Sequence, residues 1–189
     1  MDPLALVREW LDHAVESGLA EPNAMVVSTV GPDGAPSSRL VLCKGLDERG
    51  PVFFTNYSSR KGRELAAQPA VSLLFPWHSL GRQVRIEGAA SQVSPEESDD
   101  YFASRPRGAQ LSAWASQQSE VVESRDVLEQ RVRDLDQRYP DVVPRPAHWG
   151  GFRVTPRSIE FWQNRPDRLH DRQLYTRDPT GWSVVRLQP

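Results

Sequence analysis

The chain is 189 residues long, which allows one domain with a hydrophobic core and leaves little room for two. Its hydrophobic share of 38% and charged share of 25% are typical of a folded protein rather than a disordered one. The formal net charge of −2 argues against nucleic-acid binding, so any anion site has to be built locally.

The first half of the chain predicts one helix followed by closely spaced strands. Asp2 and Pro3 are typical of a helix N-cap and first turn, apolar residues then recur at helical spacing, and Gly18 ends the helix. Turn sequences separate several of the strands that follow. The predicted strands are residues 25–30, 39–43, 52–55, 71–75 and 83–87.

The second half predicts two helices and three more strands. Residues 94–97 form a capping box that starts a helix to about Ser104, and a second helix is predicted from Ser124 to Tyr139. The strands are predicted at residues 151–154, 158–162 and 182–187. Closely spaced strands without long helices between them indicate an antiparallel barrel of roughly six to eight strands. We therefore expect one α+β domain over residues 1–189, with its helices outside the barrel.

Compartment and metal content are predicted from what the sequence lacks. Residues 1–3 have no basic start and no apolar run after it, unlike a signal peptide. No apolar stretch approaches the roughly 20 residues that span a bilayer, so we expect a cytoplasmic protein without a membrane partner. One cysteine, Cys43, and four histidines exclude an intrachain disulfide and argue against a protein-built metal site.

Two segments place cations where a phosphate could bind. Arg39 and Lys44 end a predicted strand on opposite faces, although two solvated strand ends would look the same. Residues 55–62 lead into a helical stretch and combine free backbone N–H groups and hydroxyls with the adjacent cations Arg60 and Lys61. This combination is typical of a phosphate cradle, with an ordinary polar loop as the alternative.

Three further segments carry side chains suited to a ring or to a second anion. Gln83 both donates and accepts hydrogen bonds, as the polar edge of a flavin or pyrimidine requires. Tyr101 and Arg105 are four residues apart on one helix face, where they suit a phosphate or form a cation–π pair. A third segment carries amides and hydroxyls, among them Gln118 and Ser119.

The C-terminal part carries the most specific pattern. Arg168, His170 and Arg172 alternate along the chain, so a strand would place all three on one face. Three cationic or protonatable groups on one face repel each other unless an anion or an electron-rich ring lies opposite. We therefore predict that this face is functional.

Taken together, these segments resemble the pyridoxamine 5′-phosphate oxidase family from about residue 2 to the C-terminus. The resemblance implies an FMN-binding split barrel and a homodimer with FMN at the subunit interface. The strings that carry it, in the family's order, are residues 39–44, 53–61, 82–84, 104–108, 113–116, 118–119, 149–151, 159–163 and 168–172.

The resemblance also implies a role for individual residues. The residues implied to hold FMN in one subunit are Arg39, Leu40, Val41, Leu42, Lys44, Phe54, Thr55, Ser59, Arg60 and Lys61, with Gln83 against the flavin ring. Those implied to reach that FMN from the other subunit are Gln118, Ser119, Trp162 and Arg172. The substrate phosphate is assigned to Lys44, Tyr101, Arg105 and Ala109. Arg168 and His170 are implied to lie over the substrate ring as catalytic residues.

The implied reaction oxidises the 4′ carbon of pyridoxamine or pyridoxine 5′-phosphate to the aldehyde of pyridoxal 5′-phosphate. The flavin carries the redox chemistry, and O₂ accepts the electrons and leaves as H₂O₂. No side chain has to be a covalent nucleophile, so Cys43 is expected to be structural. Two alternatives stay open: a related flavin oxidase of the phenazine-forming type, and a non-catalytic module that binds flavin or pyridoxal phosphate.

Three features depart from the family's pattern. Ala109 stands where the family often has serine, so one hydroxyl contact to the phosphate is absent. Asn164 stands where glycine is usual, and asparagine tolerates a left-handed backbone better than most residues. Family members commonly carry an N-terminal extension that helps to cover the substrate, whereas this sequence begins directly at the first predicted helix.

Overall fold

The computed structural model describes residues 2–189, in which five α-helices surround a nine-stranded sheet. The helices are α1 (Pro3–Glu16), α2 (Arg60–Ala67), α3 (Pro95–Ser104), α4 (Arg107–Ala115) and α5 (Arg125–Arg138). The strands are β1 (Ala24–Val30), β2 (Pro36–Leu42), β3 (Gly45–Asp47), β4 (Gly50–Asn56), β5 (Ala70–Phe75), β6 (Arg82–Gln92), β7 (Trp149–Gln163), β8 (Asp171–Asp178) and β9 (Gly181–Arg186). Among these residues no helix is long and apolar enough to cross a bilayer.

All strand pairs are antiparallel, and the sheet curls into a split barrel. Its strand order is β2-β1-β5-β6-β7-β4-β3, with β8 paired to β7 and β9 paired to β8. The predicted α+β antiparallel split barrel with peripheral helices is therefore confirmed. The strand number is higher than predicted because the short β3 and the later β8 were not recognised as strands.

β7 is one continuous strand, although the sequence predicted two, at residues 151–154 and 158–162. Its first part pairs with β4 and its last part with β8, so it joins the two sides of the barrel. Pro156 cannot donate a ladder hydrogen bond, but it lies opposite Gly88 at a register shift in β6. A Cβ at Gly88 would lie 2.1 Å from the Thr155 carbonyl oxygen, so this close approach requires glycine.

The helix boundaries follow the capping signals closely. The Asp2 carboxylate accepts from the Leu4 N–H at 3.0 Å, and the Ser94 hydroxyl accepts from the Glu97 N–H at 3.1 Å. α5 begins one residue after the predicted Ser124. The sequence did not predict α4, whose N-cap position is a proline that offers no side-chain cap.

The core has two parts, and the smaller part positions the helices around the site. The main cluster fills the barrel with residues such as Phe53, Phe75 and Ile86, all fully buried. A second cluster packs α3 and α4 against the start of β7. Its buried members are Phe102, Leu111, Ala113, Val143 and Trp149.

Candidate active site

A cleft of about 800 Å³ opens between the barrel and the helices α3 and α4. Its size suits a cofactor or a small organic substrate. The predicted site residues that line it are Leu40, Val41, Leu42, Lys44, Phe54, Thr55, Lys61, Tyr101, Arg105, Ala109 and Gln118. Lys61 was predicted to bind the cofactor phosphate, and Tyr101 and Arg105 were predicted to bind the substrate phosphate. The structure brings these residues into one cleft, although they lie far apart in the sequence.

Lys61 is a buried cation on the first turn of α2. The residue is only 7% exposed, and its Nζ donates to Thr55 Oγ1 at 3.0 Å and to Gln118 Oε1 at 2.8 Å. These acceptors are neutral oxygens, so they do not balance its charge. Burial, and then the positive charge of Arg39, lowers the pKa of Lys61 to about 8. A buried and uncompensated cation beside a helix N-terminus fits an anionic ligand such as a phosphate.

Glu64 is a buried carboxylate that anchors the two neighbouring arginines. It accepts from Arg39 Nη2 at 3.3 Å, from Arg60 Nε at 2.8 Å and from Ser37 Oγ at 2.7 Å, and also from the Thr29 hydroxyl. Burial opposes ionisation of Glu64, but the hydrogen bonds from Thr29, Ser37 and Arg60 lower its pKa to about 2. Arg39 and Arg60 are thus fixed beside the cleft but do not line it.

The segment after α4 folds back onto the N-terminus of α2. Ser59 caps α2 through a 3.2 Å hydrogen bond from the Gly62 N–H, and the Arg60 N–H donates to Ser119 Oγ at 3.1 Å. We expected Gln118 and Ser119 to reach the cofactor site from the other subunit. That expectation is wrong, because both residues contact α2 of their own chain.

Tyr101 and Arg105 line the cleft from α3 and its C-terminal end. The Tyr101 ring stacks on Phe54 at 3.9 Å between ring centroids, and the Arg105 guanidinium lies 4.5 Å from the Trp149 ring centroid. The cation–π partners of Arg105 are therefore Trp149 and, at 5.7 Å, Phe102, and not Tyr101. Arg105 Nη1 is buried and has no hydrogen-bond partner within residues 2–189.

The electrostatics of this pair favour an anionic ligand. Burial raises the pKa of Tyr101 and lowers the pKa of Arg105. Because a buried N–H without a partner is costly, Arg105 Nη1 points to a ligand that accepts a hydrogen bond there. Lys44 and Ala109 line the same cleft, and Lys44 adds a second, exposed cation.

Other predicted site residues lie around a separate cavity of about 310 Å³. Gln83, Trp162 and Arg172 line it. Arg172 Nε donates to Glu160 Oε1 at 2.7 Å, and Arg85 Nη2 donates to Glu160 Oε2 at 2.5 Å. The hydrogen bond to Glu160 raises the pKa of Arg172. The buried Glu160 therefore fixes the position of Arg172.

The prediction that Arg168, His170 and Arg172 share one strand face is wrong. β8 begins at Asp171, so only Arg172 lies on a strand. Arg168 ends a single 3₁₀ turn, Pro166–Arg168, in which Asp167 and Arg168 have φ values of 55° and 61°. A left-handed backbone at two successive positions breaks the alternation on which the prediction relied.

His170 still lies next to Trp162. The two ring centroids are 4.5 Å apart, and His170 Nδ1 accepts from the Arg165 N–H at 3.2 Å. Neither Arg168 nor His170 lines the 800 Å³ cleft of its own chain. The predicted residues thus form two groups, and one chain does not bring those two groups together.

Two buried acids of these networks were missed by the sequence analysis. Glu64 follows Arg60 by four residues on α2, a spacing that signals an ion pair on a helix surface. Glu160 lies next to Phe161 and Trp162, where nothing in the sequence distinguishes a buried acid from an exposed one.

Family models match nearly the whole chain. One, described as pyridoxamine 5′-phosphate oxidase, matches residues 11–139, and another, described as the pyridoxine 5′-phosphate oxidase C-terminal dimerisation region, matches residues 149–189. The chain belongs to the pyridoxamine 5′-phosphate oxidase family. The resemblance predicted from the sequence is therefore confirmed, and the family identifies the chain as an oxidoreductase.

Two similar proteins bear the name pyridoxine/pyridoxamine 5′-phosphate oxidase. The one from Burkholderia multivorans is 58% identical over 191 residues, covering 100% of this chain and 89% of the relative. The one from Rubrobacter xylanophilus is 59% identical over 189 residues, covering 100% of this chain and 87% of the relative.

Two solved structures share the fold. PhzG from Burkholderia lata 383, in complex with tetrahydrophenazine-1-carboxylic acid, matches with a TM-score of 0.94 and 34% identity, covering 100% of this chain and 93% of that one. A pyridoxamine 5′-phosphate oxidase-related, FMN-binding protein from Nostoc punctiforme matches with a TM-score of 0.78 and 19% identity, covering 96% and 97%. The second likeness supports the fold alone.

Proposed function

We propose that the chain is an FMN-dependent oxidase that converts pyridoxamine 5′-phosphate and pyridoxine 5′-phosphate to pyridoxal 5′-phosphate with O₂ as electron acceptor. The observation that carries this proposal is the buried Arg105 Nη1, which has no hydrogen-bond partner among the described residues 2–189, in a cleft that also presents Lys44 and Tyr101. The relatives named for this activity, at 58% and 59% identity over the whole chain, support it.

FMN fits the side of the cleft formed by α2. Lys61 offers an uncompensated charge there, Thr55 offers a hydroxyl group, and the capped start of α2 offers a positive helix end. A mononucleotide is the expected form because the sequence contains no Gly-x-Gly-x-x-Gly fingerprint for a dinucleotide. When bound, FMN supplies the two-electron redox chemistry.

The side chains of the protein bind and orient the substrate. Lys44, Tyr101 and Arg105 hold the substrate phosphate, which fixes the 4′ carbon relative to the cofactor. Arg168 and His170 supply charge and a hydrogen-bonding ring over the substrate. The balanced reaction consumes pyridoxamine 5′-phosphate, O₂ and H₂O, and releases pyridoxal 5′-phosphate, NH₃ and H₂O₂.

A homodimer is part of the proposal, because it would unite the two groups of site residues. The C-terminal dimerisation region that matches residues 149–189 carries Trp162, Arg168, His170 and Arg172. In a dimer with two-fold symmetry both subunits contribute the same surface to the interface. Each cleft can therefore receive these C-terminal residues from the partner subunit. Exposed apolar side chains, among them Leu40 at the cleft and Leu169 in the C-terminal region, are 67% and 70% exposed and suit such an interface.

A second candidate is oxidation of a tetrahydrophenazine acid, favoured by the TM-score of 0.94 to PhzG. The molecule named in that complex carries a carboxylate and no phosphate. The identity to PhzG is 34%, well below the identity to the relatives named as oxidases of the phosphorylated vitamers. Lys44, Tyr101 and Arg105 together suit a phosphate dianion better than a carboxylate, because they add two cations and a hydroxyl donor.

The deciding experiment supplies the FMN-loaded protein with pyridoxamine 5′-phosphate under air and records H₂O₂ and the aldehyde product. The proposal expects both products in equal amounts. Oxidation of tetrahydrophenazine-1-carboxylic acid alone would favour the second candidate. If the protein binds flavin but releases no H₂O₂ with either substrate, the result would indicate a non-catalytic binding module.

A further inference from the structure

Arg153 is a buried arginine of β7 that lies outside the proposed catalytic groups. Its side chain is 11% exposed, and its two terminal nitrogens contact carboxylates on two different elements. Nη1 donates to Asp47 Oδ1 at 2.7 Å and to the Gly50 carbonyl at 3.1 Å, while Nη2 donates to Glu97 Oε1 at 2.6 Å. The guanidinium thus bridges β3 and α3.

The two bridged elements carry the ligands proposed for the substrate phosphate. Asp47 ends β3, and Lys44 immediately precedes that strand. Glu97 lies one helical turn before Tyr101 on the same face of α3, and Arg105 follows one turn later. One side chain therefore links the backbone segments that hold both sides of the proposed phosphate site.

We propose that Arg153 is a positioning residue that sets the distance between Lys44 and the Tyr101–Arg105 pair, and through it the affinity for the phosphate group of the substrate. This inference rests on the proposed function, because it takes these three residues as phosphate ligands. Arg153 does not line the 800 Å³ cleft, but it lines a neighbouring cavity of about 330 Å³ together with Lys44 and Tyr101. Its side-chain hydrogen bonds to acids of β3 and α3 go to Asp47 and Glu97.

The fold does not depend on this bridge alone. The Gly151 N–H donates to Ser98 Oγ at 3.2 Å, and the fully packed Phe102 holds α3 against the second core cluster. Pairing along β4 and β7 continues through Val52 and Arg153 by backbone hydrogen bonds, which the side chain does not make. Loss of the guanidinium therefore leaves α3 docked but frees its orientation relative to β3.

The test compares Arg153→Met with a matched control, Arg49→Met. Arg49 also binds Asp47, at 2.7 Å, but it is exposed, and within residues 2–189 its side chain makes no hydrogen bond to α3. For each FMN-loaded variant we would measure kcat and KM with pyridoxamine 5′-phosphate and with unphosphorylated pyridoxamine. Equilibrium binding of pyridoxal 5′-phosphate and of pyridoxal adds a readout independent of turnover.

We expect Arg153→Met to raise KM for the phosphorylated substrate about tenfold, with kcat and FMN content near wild type. The values for unphosphorylated pyridoxamine and pyridoxal should stay unchanged, and Arg49→Met should behave as wild type. The KM of Arg153→Lys for the phosphorylated substrate should lie between those of wild type and Arg153→Met, because an ammonium group does not bridge both carboxylates in a fixed geometry. An unchanged preference for phosphate in Arg153→Met would overturn the inference.

Failure of the proposed function gives a different result. If the wild-type protein binds pyridoxal 5′-phosphate no better than pyridoxal, both the phosphate site and the role of Arg153 are refuted. If Arg153→Met does not fold, Asp47→Asn and Glu97→Gln each remove one charged arm while the arginine stays in place. Each of these two variants should raise KM for the phosphorylated substrate. If KM is unchanged in both variants, the inference is refuted.

Discussion

At the residue scale, the cleft is marked by a buried and a half-buried cation, Lys61 and Arg105, for which no ion-pair partner is found within residues 2–189. Lys61 contacts neutral oxygens, and Arg105 has a buried nitrogen without a partner in the described chain, residues 2–189. Arg39 and Arg172, in contrast, are each tied to a buried glutamate. The first kind of cation can bind an anionic ligand, whereas the charge of the second kind is already balanced by a carboxylate of the protein.

The lowered pKa of Lys61 should make the binding of FMN, the proposed cofactor, dependent on pH. A bound phosphate favours the charged amine and raises this pKa again. Below pH 8 the amine is already protonated, so binding takes up no proton there. Above pH 8 binding has to take up a proton, and the affinity of the apoprotein for FMN should fall by up to about tenfold per pH unit.

Fluorescence titration of the apoprotein with FMN between about pH 7 and pH 9.5 measures this effect. Lys61→Arg is the control, since arginine stays charged throughout the range and should give a flat profile. Equal slopes for the two proteins would assign the pH dependence to another group.

Arg168 and Arg172 should affect substrate and cofactor separately. Arg168→Met removes the charge-assisted contact that we propose for Arg168 and the substrate. Its loss should cost roughly 1.5–3 kcal/mol, which corresponds to a loss of about 10- to 150-fold in kcat/KM. FMN content should stay near wild type. Arg172→Met should instead weaken FMN retention, and Glu160 keeps Arg85 as a partner in that variant.

Bound flavin and kcat/KM measured side by side test this division. Loss of flavin from Arg168→Met, together with full retention in Arg172→Met, would show that the two roles are reversed.

At the scale of elements, capping residues predicted where α1 and α3 begin, whereas the sequence did not predict the extent of β7. Asp2 and Ser94 predicted the starts of α1 and α3 because a side-chain cap is a local interaction. β7 was predicted as two strands, since its continuity past Pro156 depends on Gly88 of a distant strand. The turn that carries Arg168 was also missed, because its left-handed residues are not glycines.

Two serine caps separate helix stability from cofactor binding. Ser59 caps α2 at the proposed FMN phosphate site, and Ser94 caps α3 away from the cleft. Ser59→Ala and Ser94→Ala should each lower the free energy of unfolding of the apoprotein by about 0.5–2 kcal/mol. Only Ser59→Ala should also weaken FMN binding, because its hydroxyl belongs to the cradle around Lys61.

Urea unfolding of both apoproteins, followed by FMN titration, measures the two effects independently. Equal loss of FMN affinity in both variants would mean that helix stability, and not the hydroxyl of Ser59, controls binding.

At the scale of the whole molecule, sequence patterns identified the chemical groups of the site but not their arrangement. Lys44, Lys61 and Arg105 were recognised because each of their segments suits a phosphate by itself. Their meeting in one cleft depends on the curl of the barrel, which no single segment encodes. The assignment of Gln118 and Ser119 to the other subunit was wrong for the same reason, since the fold-back after α4 is a long-range contact.

The central claim is that each cleft is completed by the C-terminal region of a partner subunit. Arg105→Met removes a cleft residue and Arg168→Met removes a residue of the other group, so each variant alone should have little activity. A mixed dimer contains one site with both changes and one site with neither. The decisive measurement is therefore the oxidase activity of the two variants after they are unfolded together, refolded as an equimolar mixture and loaded with FMN.

Random pairing makes half of the dimers mixed, and each of these has one intact site. The account predicts recovery of about a quarter of the wild-type activity per subunit, with no recovery when either variant is refolded alone. Activity of the mixture that equals the mean of the two separate variants would contradict it, because each site would then be built within a single chain.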